Sequence, residues 1–251
     1  MKRLKTLFML LPLVLVTACS QKNDLNDNTL VIGCSPTPHA EILEAAKPLF
    51  EKEGYQLEIK ILNDYVTPNT LLNTGDLDAN YFQHVPYLDD FNSKNGTDLS
   101  WIVKVHFEPM GIYATNYTEL GWHSLKGGKI AVPNDTSNKK RAMDLLNENF
   151  GETLSNYQII EMEAQAIPSV LNDVDYGVIN GNYALSSGIT NKCIVTEKSD
   201  SEIATELANV IAVKTSSLNK SWVKVIERVL TKPEIKDFIN AKYGSAVKAV
   251  F

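Results

Sequence analysis

Short apolar runs alternate with helix-spaced apolar stripes along most of the chain. Residues 29–33 (TLVIG) form a continuous run of strand length, and residues 39–53 follow with Ile42, Leu43, Ala46 and Phe50 on one helical stripe. Leu57, Ile59 and Ile61 alternate as a second strand, after which Pro68-Asn69 opens a short helix. An extended stretch at 77–84, a helix from Pro86, and strands at 100–107 and 111–115 complete a first series. A second series begins after Asn116, with strand 129–132, a helix from Ser137, strand 159–163, a short helix near Pro168, strand 176–180, a turn of helix and strand 194–197. The apolar run 207–213 (LANVIAV) leads into two further helices from about Asn219, separated by Pro233. Such alternation predicts α/β architecture with mostly parallel sheets. Its order fits two lobes joined by two crossing strands.

The first residues depart from this pattern. MKRLKTLFMLLPLVLVTACS sets Lys2, Arg3 and Lys5 before an apolar run at 7–16, too short to cross a hydrocarbon core of roughly 30 Å as a helix. This is the layout of a signal peptide. The small residues Thr17 and Ala18 before Cys19 resemble a bacterial lipoprotein signal, in which that cysteine is lipidated and becomes the new N-terminus. Residues 1–18 are therefore read as signal peptide, and 19–28 as the lipidated cysteine and a polar, flexible tether, SQKNDLNDN.

Charge narrows the partners. Once Lys2, Arg3 and Lys5 are removed with the signal, 21 of the 24 basic residues face 30 acidic ones, a net charge of −9 in place of −6. That balance disfavours nucleic acid. After the leader no apolar run approaches the roughly 20 residues of a spanning helix, so the membrane is met through the lipid alone. Cys34 and Cys193 remain after Cys19. They are too few and too far apart for a disulfide framework and are expected as two buried thiols.

Five stretches carry a resemblance: NDYVTPN (63–69), GDLDANYFQHVPYLDDF (75–91), EPMGIYA (108–114), AVPNDTSNKKR (131–141) and VINGNYAL (178–185). Together, in this order, they resemble the NlpA/MetQ-type methionine-binding lipoproteins of ABC importers, over nearly the whole chain beyond the leader. The resemblance implies a type II periplasmic-binding-protein fold, two α/β lobes closing over a small molecule. The lobes are expected at 29–112 with 208–251, and at 113–207. It also implies a monomer that delivers L-methionine to an ABC permease driven by a separate ATPase, with no cofactor of its own. A methionine-containing dipeptide and D-methionine stay open as ligands.

The long central stretch crowds Tyr81, Phe82, His84 and Tyr87 into seven residues. If 77–84 is extended, period two puts Asn80, Phe82 and His84 on one face and Leu77, Ala79 and Tyr81 on the other. Pro86 suits the first turn of a helix, which sets Tyr87 just past the strand end, where open α/β sheets bind ligands. With Tyr65, the set Tyr65, Phe82, His84 and Tyr87 is expected to form a ring-lined slot for a thioether, which gains about 0.3–1.5 kcal/mol per sulfur–ring contact. Any one of these rings on its own reads equally as core.

The polar head of an amino acid needs other groups. Beyond the signal the chain has 19 lysines and only Arg141 and Arg228, and arginine alone offers a planar fork for a carboxylate. Arg141, one turn into the helix after PNDTSN, matches the family's carboxylate-binding arginine, whereas Arg228 reads as a solvated helix residue. Asn180 and Asn209 match family positions that hydrogen-bond the ligand, and Asn182 is a weaker candidate. An amide buried within LANVIAV must find a partner or cost about 1–3 kcal/mol, and a ligand or a neighbouring backbone group would serve. In CSPTPHA (34–40), Ser35 and His39 stand where they could touch the ligand, but a helix N-cap role for this Pro-rich turn is the first reading.

Other chemistries find little. There is no G-x-S-x-G, Walker loop or H-E-x-x-H, so no enzyme is expected. A metal-binding importer lipoprotein would draw on His39, His84, His106 and His123, but these are scattered without ligand spacing, and no metal is expected.

Overall fold

A computed structural model describes residues 28–115, 127–198 and 202–251. The signal peptide, Cys19, nearly all of the tether, and His123 lie outside the described residues. In chain order the elements are β1 (Thr29–Cys34), α1 (Glu41–Lys52), β2 (Gln56–Ile61), α2 (Thr67–Thr74), β3 (Ala79–His84), α3 (Val85–Asn95), β4 (Leu99–Phe107) and β5 (Gly111–Tyr113). They continue with β6 (Gly128–Pro133), α4 (Thr136–Phe150), β7 (Tyr157–Met162), β8 (Tyr176–Ile179), α5 (Gly181–Ser186) and β9 (Cys193–Thr196). Last come α6 (Glu202–Glu206), β10 (Asn209–Lys214), α7 (Ser221–Leu230), α8 (Pro233–Tyr243) and β11 (Lys248–Ala249).

Two sheets result. One has six strands in the order β11-β4-β10-β3-β1-β2, the other five in the order β7-β6-β8-β5-β9. Each holds a parallel trio with its first strand in the middle, β2-β1-β3 and β7-β6-β8. The remaining pairings are antiparallel. The expectation of mostly parallel sheets is corrected accordingly: each lobe lends the other's sheet a returning strand, and a returning strand runs the opposite way. The division expected at residue 112 falls inside β5, whose residues Gly111 to Tyr113 all pair in the second sheet.

The first sheet is packed by α1, α7 and α8, where Ile42, Leu43, Phe50, Val223, Ile226 and Ile239 meet Ile32, Tyr81 and Ile211. Full burial of each such side chain stabilises by roughly 1.5–3 kcal/mol. The second sheet is covered by α4 through Ala142, Leu145, Leu146 and Phe150, packed on Ile112, Ile130 and Val178. Asp135 caps α4, its side chain accepting from the Asn138 N–H at 2.9 Å, a bond worth about 1 kcal/mol.

The helix expected over 39–53 begins later, at Glu41, after an irregular turn at Pro36–Ala40. Ser35 caps nothing with its side chain, and His39 is fully buried rather than at a solvent-facing helix end. Cys34 and Cys193 are free thiols, the first buried and the second half-buried. Burial pushes the Cys34 thiol up to about 12, which leaves it un-ionised and inert.

Candidate functional site

The first lobe's contribution depends on a fault in β3. Opposite β10, Val210 pairs with Gln83 and Ile211 with Tyr81, so Phe82 is an extra residue in the ladder. A bulge of this kind re-aims side chains. It breaks the strict alternation expected for 77–84, and it lets the consecutive residues Phe82, Gln83 and His84 all line one cavity. A regular strand would turn the middle one away. Gln83 is held by Asn69 and Asn80 in a buried amide cluster with bonds of 2.7–3.0 Å. Tyr81 faces the opposite side, where its hydroxyl donates to His106 Nδ1.

The expected ring set does assemble. Tyr65, Phe82 and Tyr87 form a near-equilateral triangle, with centroids 5.8, 5.9 and 5.8 Å apart, and His84 lies 6.4 Å from Tyr87. His84 also caps α3, its Nδ1 accepting from the Tyr87 N–H at 3.2 Å. Its Nε2 reaches Asn138 Oδ1 of the other lobe at 3.2 Å. Burial and the nearby Arg141 push the His84 imidazole down to about 3, so it is a neutral donor here. Tyr183 adds a ring from the second lobe, 4.9 Å from Tyr65.

The second lobe presents polar groups at the ends of β6 and β8. Asn180 donates from Nδ2 to Asn138 Oδ1 at 2.9 Å, while its own Oδ1 is buried with no protein partner among the described residues. Asn182 accepts from the Tyr65 hydroxyl at 2.7 Å. Arg141 is 8% exposed, and the fork expected to hold a ligand carboxylate is closed on the protein instead. Nε and Nη2 donate to the two oxygens of Glu197 at 2.7 and 2.6 Å, and Nη2 also donates to the Glu108 carbonyl at 3.1 Å. Arg141 lines the cavity, and no hydrogen bond of its Nη1 is made among the described residues.

Those bonds tie Arg141 to both crossings between the lobes. Glu108 to Met110 link β4 to β5, and Glu197 opens the return towards β10. The crossings also bind each other, with Met110 N to Glu197 Oε2 at 2.7 Å and Glu197 N to the Met110 carbonyl at 2.9 Å.

Tyr65, Phe82, His84, Tyr87, Arg141, Asn180 and Asn209 all wall a single narrow cavity between the lobes. Gln83, Glu108, Asn138, Gly181 and Asn182 complete it. Asn209 accepts through Oδ1 from His39 at 3.0 Å, which frees its amide nitrogen for the cavity. Glu108 was missed by the sequence reading although it stands in the quoted EPMGIYA. A carboxylate directly after the apolar run VHF was the available signal.

The fold also gathers histidines that look scattered in sequence. His39 and His106 both direct Nε2 at Glu108 Oε1, at 3.5 and 3.2 Å, and the three groups lie within 4.8 Å of one another. Burial holds the imidazoles down at about 4 and about 3. They are neutral at pH 7, so the His106 contact is a hydrogen bond and not an ion pair, while the single Nε2 proton of His39 goes to Asn209. The chain Tyr81 O–H to His106 Nδ1, and His106 Nε2–H to Glu108, is complete as it stands.

Two α/β lobes, two crossings and a small cavity at the ends of the parallel strands define a substrate-binding protein of the type II periplasmic class. The chain belongs to the NlpA lipoprotein family, whose model matches residues 30–155 and 150–251. The methionine-binding lipoprotein MetQ of Bacillus subtilis is 31% identical over 265 residues, covering 94% of this chain and 93% of the relative. A nutrient-binding protein from Burkholderia cenocepacia, solved bound to methionine, superposes with a TM-score of 0.79 at 32% identity, over 88% of this chain and 100% of the other. An ABC-transporter periplasmic substrate-binding protein from Coxiella burnetii superposes with a TM-score of 0.79 at 30% identity, over 88% and 100%. Among the described residues no helix is long and apolar enough to cross a membrane.

Proposed function

We propose that this chain is the receptor of an ABC importer that captures L-methionine outside the cytoplasmic membrane and delivers it to the permease. The observation that carries the reading is the division of labour around one cavity: rings from the first lobe, and a guanidinium and amides from the second. The thioether chain occupies the slot of Tyr65, Phe82, His84 and Tyr87. The ligand carboxylate takes Arg141 Nη1 and the Asn209 amide, and Asn180 bonds the head group from the other side.

A ligand that touches both lobes binds the closed form better than the open one, and that difference in affinity shifts the hinge. Closure is already built into the lobe contacts Tyr65–Asn182 at 2.7 Å, Tyr183 to the Asn63 carbonyl at 3.0 Å, and His84–Asn138 at 3.2 Å. The receptor acts as a monomer tethered through a lipid on Cys19, and the energy for transport comes from a separate ATPase. Mass spectrometry of gently purified, then denatured protein tests the ligand. Released methionine, or calorimetric binding of added L-methionine, is expected. A cleft that takes only a dipeptide or D-methionine keeps the receptor and replaces the substrate.

A further inference from the structure

Glu108 is the one acid in the cavity wall that no basic side chain neutralises. Its carboxylate is 5% exposed. Oε1 receives His106 Nε2 at 3.2 Å, with His39 Nε2 at 3.5 Å, yet Oε2 is buried without any partner among the described residues. The cation close by among the described residues, Arg141, reaches the Glu108 backbone carbonyl and spends its fork on Glu197. Leaving a carboxylate oxygen buried and unbonded costs free energy unless something else completes it.

The neighbourhood keeps that oxygen available. A Cβ at Gly181 would lie 2.9 Å from Glu108 Cβ and 3.1 Å from Oε2, so the bare glycine gives the carboxylate its place at the cavity. Asn180, one residue earlier, brings the second unpartnered acceptor, its Oδ1, to the same wall. With His39 Nδ1, three buried acceptors in this cluster have no donor among the described residues; Glu108 and Asn180 line the cavity, and their two free oxygens describe a site that lacks a cation with several N–H groups.

We propose that Glu108 Oε2 receives the free α-ammonium group of the ligand, with Asn180 Oδ1 beside it, and so makes the receptor selective for ligands with an unblocked amino group. This rests on the amino-acid reading of the cavity given above. Arg141 and Glu197 cancel and the ligand's own charges sum to zero, so an ionised Glu108 leaves the loaded site at a net charge of −1, with the ammonium set against it.

A proton follows from the same geometry. Burial raises the Glu108 carboxyl to about 7, with His39 and Arg141 pulling the other way. The other groups facing the cluster are His39 from the turn before α1, His106 from β4, His84 and Tyr81 from β3, Tyr65 before α2, Tyr113 from β5, Arg141 from α4 and Tyr243 from α8. The imidazoles are neutral above about pH 5, and the phenols are held well above their ordinary range. Glu108 is thus the group that changes charge between pH 5 and 8, and an arriving ammonium favours its ionised form. Capture near pH 6 releases a proton, and affinity falls as pH is lowered below about 7.

Calorimetry at pH 6, in two buffers of different ionisation enthalpy, tests this with L-methionine, its des-amino analogue 4-(methylthio)butanoate, and a methionine-containing dipeptide with and without an N-acetyl group. The wild type is expected to release about one proton on binding L-methionine and to bind the des-amino compound at least about thirtyfold more weakly. Glu108→Gln, which keeps the acceptor for His106, is expected to weaken L-methionine by about tenfold to a hundredfold, leave the des-amino compound unchanged, and abolish proton release. Equal losses for both compounds, unchanged affinity for L-methionine, or proton release that survives in Glu108→Gln would overturn the assignment. If the wild type binds the free dipeptide and not L-methionine, the substrate reading fails while Glu108 is judged on the dipeptide pair. Indifference to the N-acetyl group, or binding of none of the four compounds, then removes it.

Discussion

The two lobes share a plan and differ in what they bring to the cleft. In each, a parallel trio with its first strand central is followed by an antiparallel neighbour. In the first lobe the end of β3 opens on the cavity, and in the second the residues after β6 and β8 do. From those places the first lobe offers Phe82, His84 and Tyr87, and the second offers Asn138, Arg141, Asn180 and Asn182. The first wall carries the rings and the second the guanidinium and most of the amides, while Glu108 at the crossing and Asn209 of β10 bring polar groups to the first lobe's side. Titratable groups divide in the same way. Among the described residues every histidine, together with Glu108 at the crossing, belongs to the first lobe's side of the cleft.

That asymmetry predicts where acid acts. His39, His84 and His106 have folded values lowered to about 4, 3 and 3. The unfolded chain takes up their protons below its ordinary value near 6.5. Their contribution to stability is therefore present above that value and lost as pH falls towards the folded ones. Glu108, raised to about 7, works in the opposite sense: the folded state holds its proton between about 4.5 and 7, which offsets one histidine. The net difference of roughly two protons removes on the order of 4 kcal/mol between pH 6 and 4.5, a large part of an ordinary domain's stability. Denaturant titrations at several pH values measure it. Hydrogen exchange at pH 5 should show the first sheet opening before the second, and simultaneous opening would break the comparison.

Arg141→Lys carries the next largest effect. It replaces a fork that spans Glu197 and the Glu108 carbonyl with a single ammonium. Ligand affinity is expected to fall about a hundredfold, close to 2.7 kcal/mol. Glu197→Gln should reproduce part of the loss without touching the cavity wall, because Glu197 holds Arg141 and does not line the cavity. Unchanged affinity in calorimetry for Arg141→Lys removes Arg141 from the site.

Much of this was readable in one dimension. Periodicity identified nearly all the strands and helices, since local pattern follows directly from which face is buried. The crowding of rings at 81–87 marked the first wall, and a rare arginine after PNDTSN marked the second. What stayed hidden depends on pairings between distant residues. Nothing near Phe82 announces the bulge, which exists only against β10. Nor does the sequence say that Arg141 will meet Glu197, or that His39 will meet Asn209. The histidines carried no ligand spacing because the fold, and not the chain, brings two of them to Glu108.

Phe82→Ala separates the two walls more finely. Phe82 is 3% exposed and packs with Tyr65, Tyr87 and Phe91, so the variant loses stability by about 3–5 kcal/mol. Affinity should respond selectively. L-methionine is expected to weaken about tenfold or more, and a short amino acid such as alanine hardly at all, because only the long side chain reaches the slot. Equal losses for both, read by calorimetry, would reduce Phe82 to a packing role.

The smallest effect tests whether the walls meet through the protein or only through the ligand. Tyr65→Phe keeps the ring in its triangle and removes one hydroxyl, the donor to Asn182 Oδ1 at 2.7 Å across the cleft. A neutral hydrogen bond of this kind contributes about 0.5–1.5 kcal/mol. It exists only when the lobes are closed, so its loss should appear in the closing equilibrium and leave slot chemistry alone. L-methionine and the des-amino analogue are then expected to weaken by the same factor, about two- to tenfold. A larger loss for one of them would place the Tyr65 hydroxyl on the ligand, and the division between an apolar first wall and a polar second one would no longer hold at that residue.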